Sequence, residues 1–507
     1  MEAESYDVVI IGSGLGGLMS GFILAEEGYN VCVLEKNRQI GGNLQTFVRD
    51  KALFDTGVHY IGGLEKGQAL YQYFKYFQLI DKLKLKRLDE DGFEHIYIGS
   101  NPVPYKYGMG YDTFKANLKK DFPGEEKAID DYCEKMQFIC NSFPMYNLEL
   151  EGEAMIGQEI LYISAKKYFE ELTSNVRLQN VLAATNILYA GDQDVTPLYV
   201  HALVVNSYII SSYRIIGGSS QIASILTKHI RSKGGKVKSH AEVVKLEMDS
   251  ADENVEFVVL SSGQKIKAKT FIASNHPAML MELINSDKLR KAYRNRIVNL
   301  ENTESVFILY VVPKKDAFPY LNYNVYSYNG DDVWTTSAYN QENWPLSFAL
   351  FTAASPKSEE FCDAISIMAY MHMADVKEWE STFSIVSREA DRGETYNKFK
   401  IDKAEKLLDL VVTRFPNFRD CIQSYSVATP LTYRDYIGTK DGSVYGIKKD
   451  YHDPLRTYIS HKTRIPNLLI TGQNLHMHGV YGVTVGAVKT VGEIIGEEYL
   501  VNKIKKS

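Results

Sequence analysis

Cysteine is scarce. The chain of 507 residues holds five, Cys32, Cys133, Cys140, Cys362 and Cys421, an odd number with no CxxC pair. That argues against a disulfide framework and a thiol redox couple, and points to a reducing compartment. Positive charge is not in excess: 57 Lys and Arg stand against 63 Asp and Glu, a formal net charge of -6. Binding a phosphate backbone needs clustered basic residues, so no nucleic-acid partner is expected. No stretch approaches the roughly 18 consecutive apolar residues of a spanning helix. Internal repeats and low-complexity tracts are absent too, so any domains are expected to be interleaved rather than strung in a line. No basic segment followed by a long apolar one stands ahead of "YDVVIIG", which predicts a cytoplasmic protein.

What is present is ample material for a core, with 45% hydrophobic and 24% charged residues. The length exceeds what one simple core organises. Aromatics reach 12%, with 35 Tyr and 22 Phe. They fill cores in most soluble proteins, and they also suit a large apolar ligand.

The segment "YDVVIIGSGLGGLMSGFILAEEGYNVCVLEKNRQIGGN" reads as strand, tight turn, helix and strand. A β-branched run over residues 6 to 11 predicts a buried parallel strand. Residues 15 to 27 carry apolar positions at helical spacing, and Gly28 stops that helix. Gly12, Gly14 and Gly17 supply GxGxxG, with Ser13, Leu15 and Gly16 between them. The first glycine permits the turn, the second admits a pyrophosphate to the backbone, and the third lets helix and strand pack closely. A lone GxGxxG is only a glycine-rich turn. Here strand, glycines, helix and an acid stand in the required order: Glu35 follows Gly17 by 18 residues and ends the second strand. A carboxylate there accepts from both ribose hydroxyls and disfavours a 2'-phosphate, so FAD or NAD is expected rather than NADP.

After Glu35 and Lys36 come Gly41, Gly42 and Asn43, then "FDTGVHYIGG". This continuation resembles the flavoprotein superfamily that contains amine oxidases and carotenoid desaturases, and the resemblance selects FAD. Three passages, "FDTGVHYIGG", "TPLTYRDYIGTKDGSVYG" and "GQNLHMHGVYG", resemble its polyene-acting branch of phytoene desaturases, carotenoid isomerases and, most closely, retinol saturases. The resemblance implies an α/β fold in which a Rossmann-like FAD-binding domain (1–75, 215–285 and 430–507) is interleaved with an α+β substrate domain. That second domain (76–214 and 286–429) is expected on a mixed or antiparallel sheet, with alternating strands over 301–355. The resemblance further puts the Val243 backbone at the adenine, Gly472 and Gln473 along the ribityl chain, and a helix starting near Gly482, with Val483, at the pyrimidine end of the flavin. One departure stands out: the family often has an acid just after Gly472, where this chain has Gln473 and Asn474.

For a saturase the implied step is hydride transfer from flavin N5 to one carbon of a C=C bond, with a proton delivered to the other. His59 is the candidate donor, because imidazole titrates near neutral pH. The alternative is a histidine that packs its loop. Tyr60, Tyr433 and Tyr481 are lesser candidates. His476 and His478, two apart in an extended reading, face one side, but no acid or cysteine in the segment completes a metal shell, so no metal is expected. The implied partner is an apolar isoprenoid or lipid, with peripheral membrane contact as an open alternative. The sequence names no electron donor and no oligomeric state. Desaturation and cis-trans isomerisation stay open, as do an amine-oxidase-type reaction and a flavin-free prenyl-binding protein resembling the GDP-dissociation inhibitors.

Overall fold

The run from Tyr6 onward forms strand β1 (Glu4–Ile11), buried from Val8 to its end. In the computed structural model, which describes residues 4–150, 158–386, 388 and 390–507, β1 lies parallel to β2 (Val31–Leu34) on one side and to Lys265–Ala273 on the other. Lys236–Lys238 extends the sheet beyond β2, also in parallel. Lys265–Ala273 runs for nine residues without interruption. It is one strand because it follows β1 along its whole length while its second edge is shared. An antiparallel ribbon of Val243–Met248 and Val255–Leu260 takes the first half of that edge, and parallel Leu468–Ile470 takes the second. Burial changes midway from alternating to continuous, and that change reads as a break in the sequence.

Helix α1 (Leu15–Glu26) follows β1, and Gly28 with φ +84° turns the chain back as expected. Ser220–Ser232 and the long helix Gly479–Ile495 pack against α1. The latter begins at Gly479, three residues ahead of the expected start, with His478 at its N-cap.

A second seven-stranded sheet contains Ser305–Pro313, Asn324–Tyr328 and Ser347–Thr352 from the stretch read as alternating strands. Ile365–Met371 and Ile422–Ala428 join them, and Glu94–Ile98 and Tyr105–Tyr107 arrive from far upstream. The pairings are antiparallel except for Glu94–Ile98 beside Asn324–Tyr328. All residues of its four central strands are buried, so the sheet is covered on both faces rather than lying with one face in water. Helices Tyr111–Asp121, Glu126–Asn141, Ala165–Leu172, Val176–Ala183 and Leu198–Ile210 pack on one another, and the first of them meets strand Tyr105–Tyr107. Cys133 and Cys140 are buried on the second of these, as small apolar side chains. Among the described residues no helix is long and apolar enough to cross a membrane.

Candidate functional site

The turn after β1 opens a long crevice. Gly12 sits at φ +99°, a conformation that disfavours other residues. A Cβ on Gly17 would overlap the carbonyl oxygen of Gly12, so helix and turn close only with glycine there. A Cβ on Gly14 would meet no protein atom within 4 Å, so this position faces open space at the N-terminus of α1. Helix N-terminal N–H groups and the helix dipole favour an anion there. The Glu35 carboxylate, 6% exposed, accepts from the Ser13 backbone N–H (3.1 Å), the Ser13 hydroxyl (2.6 Å) and the Asn37 N–H (2.8 Å). Ser13 Oγ in turn accepts from the Gly41 N–H at 3.1 Å. The acid is thereby fixed at the crevice wall by the same turn that presents the helix.

Of the sixteen crevice residues expected from the sequence, the structure lines the crevice with all but Gly17 and Gly482. Gly17 lies beneath the turn. Gly482 is packed against Met477 in the first turn of the long helix, with no room for a Cβ. Asn275 and Thr439, which the sequence reading did not single out, also line the crevice. The Oδ1 atoms of Asn43 and Asn275 and the Thr439 hydroxyl are buried there without a hydrogen-bond partner. Unpaired buried polar atoms are costly, and three along one crevice fit a polar ligand lying in it. Glycines that leave room, an acid at the ribose end and orphaned donors and acceptors together suit a dinucleotide. Asn474, where the family often has an acid, accepts the Ile447 N–H at 3.0 Å and so braces the neighbouring loop.

The crevice runs into a second cavity. Gly57, Val58, Met368, Tyr445, Gly479 and Val480 line both, placing the N-terminus of helix Gly479–Ile495 at the junction. The second cavity is walled by Leu70, Ile187, Leu188, Leu203, Val204 and Phe351 among others, and among the described residues no Asp, Glu, Lys or Arg lines it.

His59 and Tyr60 line this apolar cavity. The expectation that His59 titrates near neutrality is overturned: burial, with the Arg214 charge, pushes its imidazole down to about 4. Its ring stacks on Phe351 with centroids 4.7 Å apart, and its Nε2 has no partner. Tyr481 donates to the Tyr146 carbonyl and Tyr433 to the Thr56 carbonyl, so both hydroxyls are engaged by backbone. The histidine pair does not share one side, because the segment turns rather than extends. His476 lies beside His461 and Tyr458, whereas His478 reaches the Leu188 carbonyl at 3.2 Å and packs on Tyr445.

A buried acid behind Tyr60 is not singled out by the sequence. Glu94 is 1% exposed, and its Oε1 accepts from the Tyr60 hydroxyl at 2.7 Å. Its signal was local: in "EHIYI" it shares the inward face with Ile96 and Ile98, where an acid is out of place.

A family model for NAD(P)-binding Rossmann-like domains matches residues 10–77. The chain is 27% identical to the all-trans-retinol 13,14-reductase of Homo sapiens over 525 residues, 96% of this chain and 85% of that one. It is 23% identical to the chloroplastic prolycopene isomerase 1 of an Oncidium hybrid cultivar, over 88% of this chain and 76% of the other. Among solved structures, a putrescine oxidase triple mutant redesigned in cofactor binding superposes with TM-score 0.65 at 14% identity, covering all of both chains.

Proposed function

We propose that this chain, a member of the FAD-dependent oxidoreductase family of carotenoid desaturases, carotenoid isomerases and retinol saturases, reduces a C=C bond of a polyene or similar isoprenoid lipid. The observation that carries the reading is the meeting of a dinucleotide-shaped crevice with an apolar cavity at Gly57, Val58, Met368, Tyr445, Gly479 and Val480. FAD is the group that fits the crevice. Its pyrophosphate is assigned to the Gly12–Gly17 turn, its ribose to Glu35, its adenine to Val243 and its ribityl chain to Gly472 and Gln473. Lys36, Gly41, Gly42, Asn43 and Val483 complete the wall, and the helix beginning at Gly479, with Gly482 in its first turn, addresses the pyrimidine end. When bound, the flavin supplies a hydride at N5.

The chain's own part is to hold, dry and protonate. Residues 1–75, 215–285 and 430–507 carry the nucleotide, and 76–214 with 286–429 shape the substrate cavity. A cavity whose described walls carry no ionised side chain excludes water and favours a neutral apolar substrate; an ammonium substrate would find no carboxylate among those residues. The N-terminal dipole of helix Gly479–Ile495 stabilises negative charge at the junction. Four of the five cysteines are buried and all are free, which supports a reducing, cytoplasmic setting.

The deciding experiment supplies purified, flavin-loaded protein with a reductant and all-trans-retinol under anaerobic conditions, and follows the mass of the product. A gain of two hydrogens is expected. Loss of two hydrogens would make the protein a desaturase, unchanged mass with altered geometry an isomerase. Turnover of amines with oxygen and none of polyenes would sink the reading.

A further inference from the structure

A reductase of this kind needs a proton as well as a hydride, and the walls of the apolar cavity offer few. His59 is neutral near pH 7, and the hydroxyls of Tyr146 and Tyr481 are spent on backbone carbonyls. Tyr60 differs. Its ring lines the cavity and stacks on Tyr208 with centroids 4.3 Å apart, while its hydroxyl meets Glu94 Oε1 at 2.7 Å and the Tyr326 hydroxyl at 2.8 Å. Behind it the second carboxyl oxygen of Glu94 is buried without a partner. Resting on the saturase reading above, we propose that Tyr60 hands the proton to the second alkene carbon and that the Glu94 carboxyl replenishes it.

The surroundings keep Glu94 as an acid. It opens strand Glu94–Ile98 opposite Asn324, and Tyr60, Tyr208 and Tyr326 face it. The nearby cation is Arg214, 1% exposed, whose guanidinium is committed to Tyr320, Leu321, Tyr323, Asn324 and Thr352. Burial outweighs the pull of the Tyr60 hydrogen bond, of the nearby Asn324 amide and of Arg214, and pushes the carboxyl up to about 8. Once protonated, the carboxyl can donate along the same 2.7 Å contact, freeing the Tyr60 O–H to turn to the cavity. The step balances as follows. Bound two-electron-reduced flavin would supply the hydride for one C–H bond; the Tyr60 O–H breaks as the second C–H bond forms. The phenolate then takes the proton of Glu94, and a solvent proton restores the carboxyl when the cavity next exchanges its contents. Arg214 offsets the transient carboxylate charge. Tyr60 is thus a catalytic residue, and Glu94 acts through it.

The test pairs kinetics with folding. Wild type, Y60F and E94Q, flavin-loaded and reduced, are mixed anaerobically with all-trans-retinol and flavin reoxidation is followed against pH. Wild-type rates should fall as pH rises through about 8. Both variants should be slower by ~100-fold, a general acid's usual share, and E94Q should lose that alkaline limb. The second readout needs no turnover. Glu94 holds its proton in the fold up to about 8 but releases it near 4.5 when unfolded, so between those values the folded state binds the extra proton and stability falls as pH rises. The urea midpoint of wild type relative to E94Q should therefore drop steadily from pH ~5 to ~8. Wild-type rates with an intact alkaline limb in both variants, or a midpoint difference that ignores pH, overturns the relay. Failure of the saturase reading looks different: wild type then reoxidises no faster with polyene than without, and the relay falls with it.

Discussion

Gly17 has no room for a side chain, because a Cβ there would sit on the carbonyl oxygen of Gly12. Gly28 is glycine for another reason: its φ of +84° strains an L residue while the space around it is open. The two therefore predict different costs. G17A must move backbone at the turn and should lose ~2–4 kcal/mol of stability together with bound flavin. G28A should lose about 1 kcal/mol and keep its flavin. Urea titration and the flavin-to-protein absorbance ratio check both, and equal flavin content in the two variants would contradict the assigned role of the turn. Residues of this kind were legible because chain-local geometry dictates them; the spacing of Gly12, Gly14, Gly17 and Glu35 is the geometry of one strand-turn-helix-strand unit. Glu94 was not, since its meaning comes from Tyr60 and Tyr326, brought to it by loop and sheet rather than by spacing. His59 shows the converse: its place on the cavity loop followed from resemblance, but its depressed pKa depends on burial and on Arg214 from a distant strand.

At the scale of elements, helix Gly479–Ile495 joins cofactor chemistry to the fold. Its N-terminus opens on the junction through Gly479 and Val480, so its partial positive charge acts where reduced flavin would carry negative charge. Replacing Val480 by Asp puts a full negative charge in that first turn. The midpoint potential of the bound flavin should fall by ~6–20 mV, the equivalent of the ~0.3–1 kcal/mol that a charge at a helix end contributes. V480T, without a charge, should leave it in place, and dye-linked potentiometry measures both. The helix itself was legible from its apolar spacing, but its start was not. "HMHGVYG" offers four glycine or histidine positions for a cap, and the packing of Gly482 under Met477 places the first turn earlier than sequence alone suggests. The same holds in the second sheet. Its strands over 305–352 were visible as β-branched and aromatic runs, whereas their neighbour Glu94–Ile98 pairs in parallel from more than 200 residues upstream, a contact that no local pattern encodes.

For the whole molecule, the crevice is built from widely separated parts of the chain: residues from Ile11 to Asn43, Val243, Asn275, Thr439 and the stretch from Gly472 to Val483. The sheet repeats that arrangement, with β1, Lys265–Ala273 and Leu468–Ile470 side by side. A ligand that touches all of these segments binds only when they are assembled, so its binding free energy adds to the stability of the fold rather than to one loop. At a hundredfold excess of free FAD over its Kd this amounts to about 2.7 kcal/mol. Spread over an unfolding entropy of ~2.1 cal/mol/K per residue for 507 residues, it should raise Tm by about 2–3 °C. ADP, which reaches only the nucleotide half, should give a smaller rise. Calorimetry distinguishes the outcomes. One transition that shifts as a unit is expected, because the chain crosses between the two sheets repeatedly and neither part is a continuous segment. Two transitions, of which only one responds to FAD, would mean that the sheet carrying Glu94 and the apolar cavity melts independently of the nucleotide crevice. The junction at Gly479 would then be a contact between separately folding bodies.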